Sequence, residues 1–274
     1  MKNLIRGMVV CAVLACAFSL SAQTANPNAP TATAGAASTA DAATPTADEI
    51  VEKYLAAIGG KEVIGKVKSI SMESSAQIMG TEAPGTMVIV DGVGYRSDTD
   101  FNGTKIVSCY TDKGGWSINP MAGAADPTPM PDDQYKMGKE QIYVEGLYNY
   151  AAKGNKIELA GKDDKTYKIK LTTKDNAESV YTIDAATFLV KSVNMKGKMQ
   201  GQDVDITTSP SDYRKTDVGY LLPYAIDLDF GGQFQLSIAV KKVELNKTID
   251  PAVFEMPKPA AASEPAKPAA STPQ

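Results

Sequence analysis

The sequence predicts an α+β protein whose large, curved antiparallel sheet forms an incomplete β-barrel of about ten strands, with helices covering the concave side. Three observations support this prediction. A capped amphipathic helix opens the folded region. Many segments with period-two alternation follow it. Short turns separate most of these segments, which favours antiparallel neighbours.

The composition divides the 274-residue chain into four parts. Residues 23–45 and 258–274 are rich in Ala, Thr and Pro and have almost no large apolar side chain, so both are expected to be disordered. The block between them, residues 46–257, has the size of a single domain. Residues 1–22 form a separate N-terminal segment.

The N-terminal segment has the pattern of a signal peptide. Lys2 and Arg6 precede an apolar run that ends at Leu20, and Ser21-Ala22 supplies the small residues of a cleavage site. Export of the mature chain to the periplasm is therefore expected.

Two alternatives to cleavage after Ala22 remain. The apolar run could persist as an anchor helix, although it is short for a bilayer. Alternatively, Val13-Leu14-Ala15-Cys16 loosely fits a lipobox, so the protein could be lipid-anchored through Cys16.

The folded domain begins with a helix. Thr46 and Glu49 have the spacing of a capping box, and Gly59-Gly60 provides the stop. A short second helical turn is expected over residues 61–66. The apolar stripe of the first helix consists of Ile50, Tyr54, Leu55 and Ile58.

Strands account for most of the remaining domain. In the first predicted strand, successive residues alternate between a mainly apolar face and a polar face, as in a half-buried strand. Asn102-Gly103 is a strong hairpin signal between two later strands. Glycine and proline predict a turn over residues 80–85. The predicted strands are 70–78, 87–90, 95–101, 105–110, 116–118, 166–173, 179–184, 189–195, 204–213, 220–230 and 233–245.

Two segments interrupt the strands. Residues 119–131 contain four prolines and are expected to form a flap that gates entry to the interior. Residues 132–152 are expected to form a helix that faces the sheet. Its apolar side would carry Met137, Val144, Leu147, Tyr148 and Ala151.

The composition argues against several function classes. The chain has no His, which removes His-dependent triads, general bases and metal ligands. Its net charge of −4 disfavours nucleic acid as a partner. Asp98, Asp100 and Asn102 match the start of a calcium loop, but Cys109 occupies the position of the bidentate Glu. We therefore expect no enzymatic activity, no cofactor and no metal.

Methionine recurs through the strands, the flap and the middle helix. Met adapts to irregular apolar partners, so this distribution suits an acyl-chain cavity. The alternative is that these side chains fill gaps in an ordinary core.

Four segments resemble the LolA/LolB-like family of periplasmic carriers of lipoproteins and lipids. They are Asp48–Gly60, Tyr181–Lys191, Asp212–Pro223 and Ile249–Pro257, which occur in the family's order. The resemblance implies an incomplete β-barrel around helices, with a hydrophobic cavity and no catalytic residues. The Ala/Pro-rich tails and the extended flap are departures from the family pattern.

The resemblance and the apolar pattern together predict a monomeric periplasmic carrier. It would bind lipid acyl chains or lipoproteins and shuttle them towards the outer membrane, with membrane-bound donor and acceptor proteins as partners. The residues expected to line the cavity are Met72, Met87, Ile89, Trp116, Met137, Val144, Leu147, Tyr148, Tyr181 and Met195.

Two other functions remain open. The same fold could serve as an envelope-stress sensor or protein-interaction module. An enzyme such as a glycosidase would need two carboxylates across a cleft, and Asp227 and Asp229 share one strand face.

Overall fold

A computed structural model describes residues 44–199 and 202–258. The expected signal peptide, Cys16, nearly all of the linker and the C-terminal tail lie outside the described residues.

Two helices open the described chain. Helix α1 spans Ala47–Ala57, and helix α2 spans Lys61–Lys66. The Thr46 hydroxyl accepts from the Glu49 backbone N–H at 3.2 Å, and the Glu49 carboxylate accepts from the Thr46 N–H at 2.8 Å. This reciprocal pair is the capping box that the sequence predicts.

The described residues form one antiparallel sheet of thirteen strands. Its order is β6-β5-β4-β3-β2-β1-β13-β12-β11-β10-β9-β8-β7, and it does not close into a barrel. The strands are β1 Ser69–Ile78, β2 Thr81–Val90, β3 Gly94–Phe101, β4 Thr104–Thr111, β5 Gly115–Asn119, β6 Ala124–Pro129, β7 Lys156–Lys162, β8 Thr166–Thr172, β9 Glu178–Asp184, β10 Val190–Met199, β11 Gln202–Lys215, β12 Leu221–Phe230 and β13 Gln235–Leu245. The expected fold class is confirmed.

The sheet curves around α1. Ile89 of β2 and Leu171 of β8 belong to the same buried cluster as Ile50 and Leu55 of α1. Seven strand spacings separate β2 from β8, which on a flat sheet would place them about 34 Å apart. Because side chains of both strands share one buried cluster with this short helix, the sheet must bend strongly between them.

Three sequence expectations about the strands are wrong in detail. The turn expected over residues 80–85 is confined to Met79 and Gly80, and β2 continues through Pro84. Strand β7 falls in a segment for which no strand was expected. Strand β6 lies inside the expected flap, where Pro127 and Pro129 are tolerated because β6 is an edge strand.

The single helix expected over residues 132–152 is also wrong. Helix α3 covers only Asp132–Gly138 and continues as a 3-10 turn over Lys139–Ile142. Another 3-10 turn follows at Tyr150–Lys153, after Asn149 with a left-handed φ of 51°. The apolar spacing was helical, but Gly138, Gly146 and Asn149 oppose a continuous helix.

Residues 130–153, hereafter the strap, connect the two edge strands and contact both halves of the sheet. On one side, the Tyr135 hydroxyl donates to the Thr111 carbonyl at 2.8 Å, and the Gly92 N–H donates to the Ile142 carbonyl at 2.9 Å.

On the other side, the strap is fixed to the β8–β9 region. Lys139 forms an ion pair with Asp175 in the turn after β8, and the Asn155 amide donates to Glu140 at 2.8 Å. The strap therefore bridges the opening of the curved sheet.

Within residues 44–199 and 202–258, no helix is both long enough and apolar enough to cross a membrane.

Candidate functional site

A cavity of about 270 Å³ lies where α1, the strap and the inner face of the sheet meet. Its walls come from α1, β1, β2, the strap and β9 to β12, and most of them are apolar. The lining residues are Tyr54, Ile58, Ile70, Met72, Ile89, Val144, Glu145, Gly146, Tyr181, Val190, Val193, Pro210, Tyr213, Tyr220, Leu221, Leu222 and Pro223.

One carboxylate, that of Glu145, faces this apolar cavity from the strap. Its Oε2 accepts a 2.8 Å hydrogen bond from the Tyr54 hydroxyl. The Tyr220 hydroxyl lies 3.5 Å from the same oxygen and 3.4 Å from the Val144 carbonyl, so its one proton is shared between these two acceptors. Its Oε1 accepts from the Leu147 backbone N–H at 3.1 Å. These three donors fix the carboxylate at the junction of α1, the strap and β12.

Burial changes the acidity of Glu145, Tyr54 and Tyr220, hereafter the Glu145 cluster. Burial raises the pKa of Glu145, although the three hydrogen bonds and the charge of Lys153 act in the opposite direction. Burial, and then the neighbouring Glu145 charge, raise the pKa values of Tyr54 and Tyr220 well above their usual range. The carboxylate is therefore a charge held at a cost within a low-dielectric space.

Lys153, near the end of the strap, is the cation that influences Glu145. Its ammonium donates to the carbonyl oxygens of Glu145 at 2.8 Å and Gly146 at 3.3 Å, and lies 4.0 Å from the Tyr143 ring centroid. Burial lowers the pKa of Lys153. Lys153 supports the strap backbone and is not a free surface lysine.

A second cavity of about 220 Å³ adjoins the first. The two share Gly146 and Tyr181. A Cβ added at Gly146 would lie 2.8 Å from the Tyr181 hydroxyl, so the strap and β9 meet closely at this point. Tyr181 and Gly146 thus lie between two compartments, of which the second is lined by polar side chains, including Glu140, Gln141 and Glu178, as well as apolar ones.

Six of the ten residues predicted to line a cavity do so. Met72, Ile89 and Val144 line the first compartment, Met137 and Met195 line the second, and Tyr181 lines both. Their role in binding a ligand stays a prediction.

The other four predicted residues lie elsewhere. Met87 packs against the main core without facing either compartment, and Leu147 is fully buried within that core. The Tyr148 hydroxyl approaches Gly65 of α2 closely, because a Cβ there would lie 2.6 Å from it.

Trp116 lies on the opposite face of the sheet. It packs with Val107, Cys109 and Phe254 in a separate cluster, and its indole N–H donates to the Phe254 carbonyl at 2.9 Å. The Arg96 guanidinium lies 5.4 Å from its ring centroid. The C-terminal 3-10 turn Pro251–Phe254 therefore covers Trp116 on the side away from the cavity.

The polar cluster was missed by sequence reasoning. Tyr54 was placed on the apolar stripe of α1, and Tyr220 within a strand, but neither was linked with Glu145. Each of the three residues comes from a different element, so no local motif could connect them. The one available signal was Glu145 itself, a charged residue between Val144 and Leu147 in an apolar segment.

Comparison with solved structures identifies the architecture. A LolA superfamily protein from Nitrosomonas europaea matches with a TM-score of 0.51 at 12% identity, over 77% of this chain and 98% of that chain. The fold is LolA-like. The expected fold family is confirmed at the level of architecture.

Two further solved structures show the same kind of match with lower TM-scores. An outer membrane lipoprotein-sorting protein domain from Vibrio parahaemolyticus has a TM-score of 0.48 at 12% identity, over 75% of this chain and 94% of that chain. A DUF1329 family protein from Desulfovibrio piger has a TM-score of 0.48 at 13% identity, over 77% and 98%. No family model and no curated protein matches the sequence.

The site of this LolA-like chain has the chemistry of a binding pocket. Among residues 44–199 and 202–258, no three His, Cys, Asp or Glu side chains are grouped as metal ligands. The apolar walls can take up a hydrocarbon chain, and the Glu145 cluster can hold one polar group.

Proposed function

We propose that this protein is a periplasmic, non-catalytic carrier that binds the acyl chains of a lipid or lipoprotein in its two adjoining compartments. The observation that carries the proposal is the pair of adjoining cavities between α1, the strap and the inner sheet face. The LolA-like fold agrees with it.

The energetics of hydrocarbon in water support a container of this kind. A buried methylene contributes about 0.8 kcal/mol, so an acyl chain of about sixteen carbons loses on the order of 12 kcal/mol on entering water. A carrier between two membranes must therefore cover the chain. The open sheet can admit a chain along its unpaired side, which a closed barrel would prevent.

The strap is the part of the fold that we propose moves during loading. It covers the cavities, so a ligand can enter only if the strap moves, and its connections to the sheet include the Lys139–Asp175 ion pair and the Tyr135 hydroxyl bond to Thr111. Residues 119–131 were expected to have this role, but β6 is paired with β5 there. A donor and an acceptor protein at the two membranes would complete the cycle.

The test introduces a charge into the first compartment. Val144→Asp places an unpaired carboxylate against the apolar walls, which is costly, and should abolish uptake of a fluorescent fatty-acid probe. Val218→Asp makes the same chemical change at a valine that is 47% exposed, so it should leave uptake intact. Circular dichroism of both variants establishes that they are folded.

Mass spectrometry of lipids extracted from the purified protein provides an independent measurement. Recovery of stoichiometric lipid or lipoprotein would support the carrier. A folded Val144→Asp variant that takes up the probe normally, together with a lipid-free purified protein, would rule it out.

A further inference from the structure

We infer that the first compartment selects amphiphiles whose polar end is an organic ammonium group, which is held by the Glu145 carboxylate inside a cage of tyrosine rings. This inference deepens the proposed carrier function and rests on it. It names the headgroup chemistry, whereas the apolar walls alone would accept any hydrocarbon chain.

The charge of Glu145 favours a cationic headgroup. None of the salt bridges within residues 44–199 and 202–258 includes Glu145. Lys153 offsets part of its charge, but the Lys153 ammonium is bonded to backbone carbonyls of the strap and is absent from the cavity wall. A carboxylate facing an enclosed space in this way attracts a cation and repels phosphate or carboxylate headgroups.

The Glu145 carboxylate is not saturated by its hydrogen-bond donors. Its two oxygens offer about four acceptor sites, and Tyr54, Tyr220 and Leu147 use three. The Tyr220 contact is long, at 3.5 Å. An ammonium group that enters the cavity, quaternary or not, can therefore approach the carboxylate without displacing the short Tyr54 bond.

The lining of the first compartment is rich in tyrosine. Tyr54, Tyr181, Tyr213 and Tyr220 line the compartment with Glu145. Tyr213 is oriented by a 2.8 Å hydrogen bond from its hydroxyl to the Val190 carbonyl. Aromatic faces attract ammonium groups, and cages of such rings with a carboxylate recognise quaternary ammonium ligands in other proteins.

The placement of the second compartment completes the geometry. It lies beyond Tyr181 and Gly146 and is lined by Met137, Leu171 and Met195 together with polar residues that include Glu140 and Glu178. Met side chains adapt to flexible chains. An amphiphile with its ammonium at Glu145 could extend its tail past Tyr181 into this space.

The test compares probes that share one tail and differ in headgroup charge. Isothermal titration calorimetry would measure dodecyltrimethylammonium and dodecanoate, both below their micelle concentrations, with tetramethylammonium as the headgroup alone. We expect the cationic amphiphile to bind about tenfold or more tightly than dodecanoate. Tetramethylammonium should bind weakly, and competitively with the cationic amphiphile.

Variants at two positions locate the selectivity. Glu145→Gln keeps the shape of the side chain and should reduce the cationic preference to within about threefold, without weakening dodecanoate. Tyr213→Leu removes one ring and should weaken the cationic probe alone, whereas Tyr213→Phe keeps the ring and should retain most of the preference. If Glu145→Gln fails to fold, the comparison of Tyr213→Leu with Tyr213→Phe still tests the ammonium site.

The two proposals fail in different ways. Equal binding of both amphiphiles, unchanged in Glu145→Gln or in Tyr213→Leu, would overturn the ammonium site and leave the carrier standing. If neither amphiphile binds, the carrier function and the ammonium site are both overturned.

Discussion

The Tyr54 hydroxyl donates a 2.8 Å hydrogen bond to Oε2 of Glu145, and this bond joins helix α1 to the strap across 91 positions of sequence. It is the shortest of the side-chain bonds that Glu145 makes in the described chain. This polar contact in an otherwise apolar wall favours one position of the strap over α1, because the Tyr54 hydroxyl would lose its acceptor if the strap were displaced.

Removing this bond should destabilise the fold. In Tyr54→Phe, Glu145 keeps its carboxylate but loses its best donor, at an expected cost of about 1–3 kcal/mol. Urea unfolding measures the change. Tyr224→Phe is the matched control, because the described structure gives the Tyr224 hydroxyl no hydrogen bond, and it should change stability little. Equal stability of the Tyr54→Phe variant and the natural protein would show that the bond contributes nothing.

The pH dependence of Glu145 has a defined sign. Burial raises its pKa in the folded state above the ordinary 4.5, so the folded state binds this proton more tightly than the unfolded state. Its contribution to stability is therefore complete below pH 4.5 and is lost as the pH rises through the folded-state pKa. Comparison with Glu145→Gln by urea unfolding between pH 4 and 7 isolates this group. The natural protein should lose stability relative to the variant as pH rises, and an opposite slope would contradict the assignment.

Gly138 is the position where the strap approaches β4 most tightly. A Cβ there would lie 2.4 Å from the Tyr110 ring, which is itself buried. Gly138→Ala should therefore cost about 1–3 kcal/mol, measured as a lower urea midpoint. Gly114→Ala is the control, since a Cβ at Gly114 meets nothing within 4 Å. If both variants were equally stable, the strap would not pack on Tyr110 as described.

Cys109 should react slowly with thiol reagents. It is fully buried, and burial raises the pKa of its thiol to about 11. Because the thiolate is the reactive form, a chain that begins at residue 23 should react with Ellman's reagent at pH 8 about 100-fold more slowly when folded than in urea. Phe254→Ala should speed the reaction by uncovering the cluster, and Phe234→Ala, in the β12–β13 turn, should not. Fast labelling of the folded natural protein would disprove this burial.

Trp116 provides an optical test of which sheet face binds the ligand. It is the single Trp of the chain, and the 3-10 turn at Phe254 covers it on the face opposite the cavity. Its emission maximum should stay fixed during titration with dodecanoate and shift to the red when residues 250–274 are removed. A spectral change on ligand binding would show that Trp116 lies at the binding site, as the sequence predicts.

The elements that sequence reasoning located correctly are those with local signals. The capping box at Thr46 and Glu49 and the Asn102-Gly103 turn depend on contacts within a few residues, so spacing alone reveals them. Strand β6 was missed because Pro127 and Pro129 argue against a strand unless its edge position is known.

The candidate site was only partly predictable for a similar reason. Apolar spacing identifies side chains that avoid water, such as Ile89 and Leu147, but it cannot say which of them face a cavity and which face the packed core. Trp116 illustrates a second limit, because the face of a strand that contacts the core is decided by partners distant in sequence. Glu145 and Tyr54 lie close together only because the curved sheet brings the strap over α1.

The strand order has a consequence for how the chain acquires its structure. Strands β1 to β6 form one meander and β7 to β13 another, and a single pairing, β1 with β13, joins them. Each meander can fold from contacts between neighbours in sequence, whereas the joining pair must close a loop that runs from Ile78 to Gln235. Assembly of the halves is therefore the slow event we expect in refolding. Two fragments separated within the strap, each with its meander intact, should find one another and reconstitute the complete sheet.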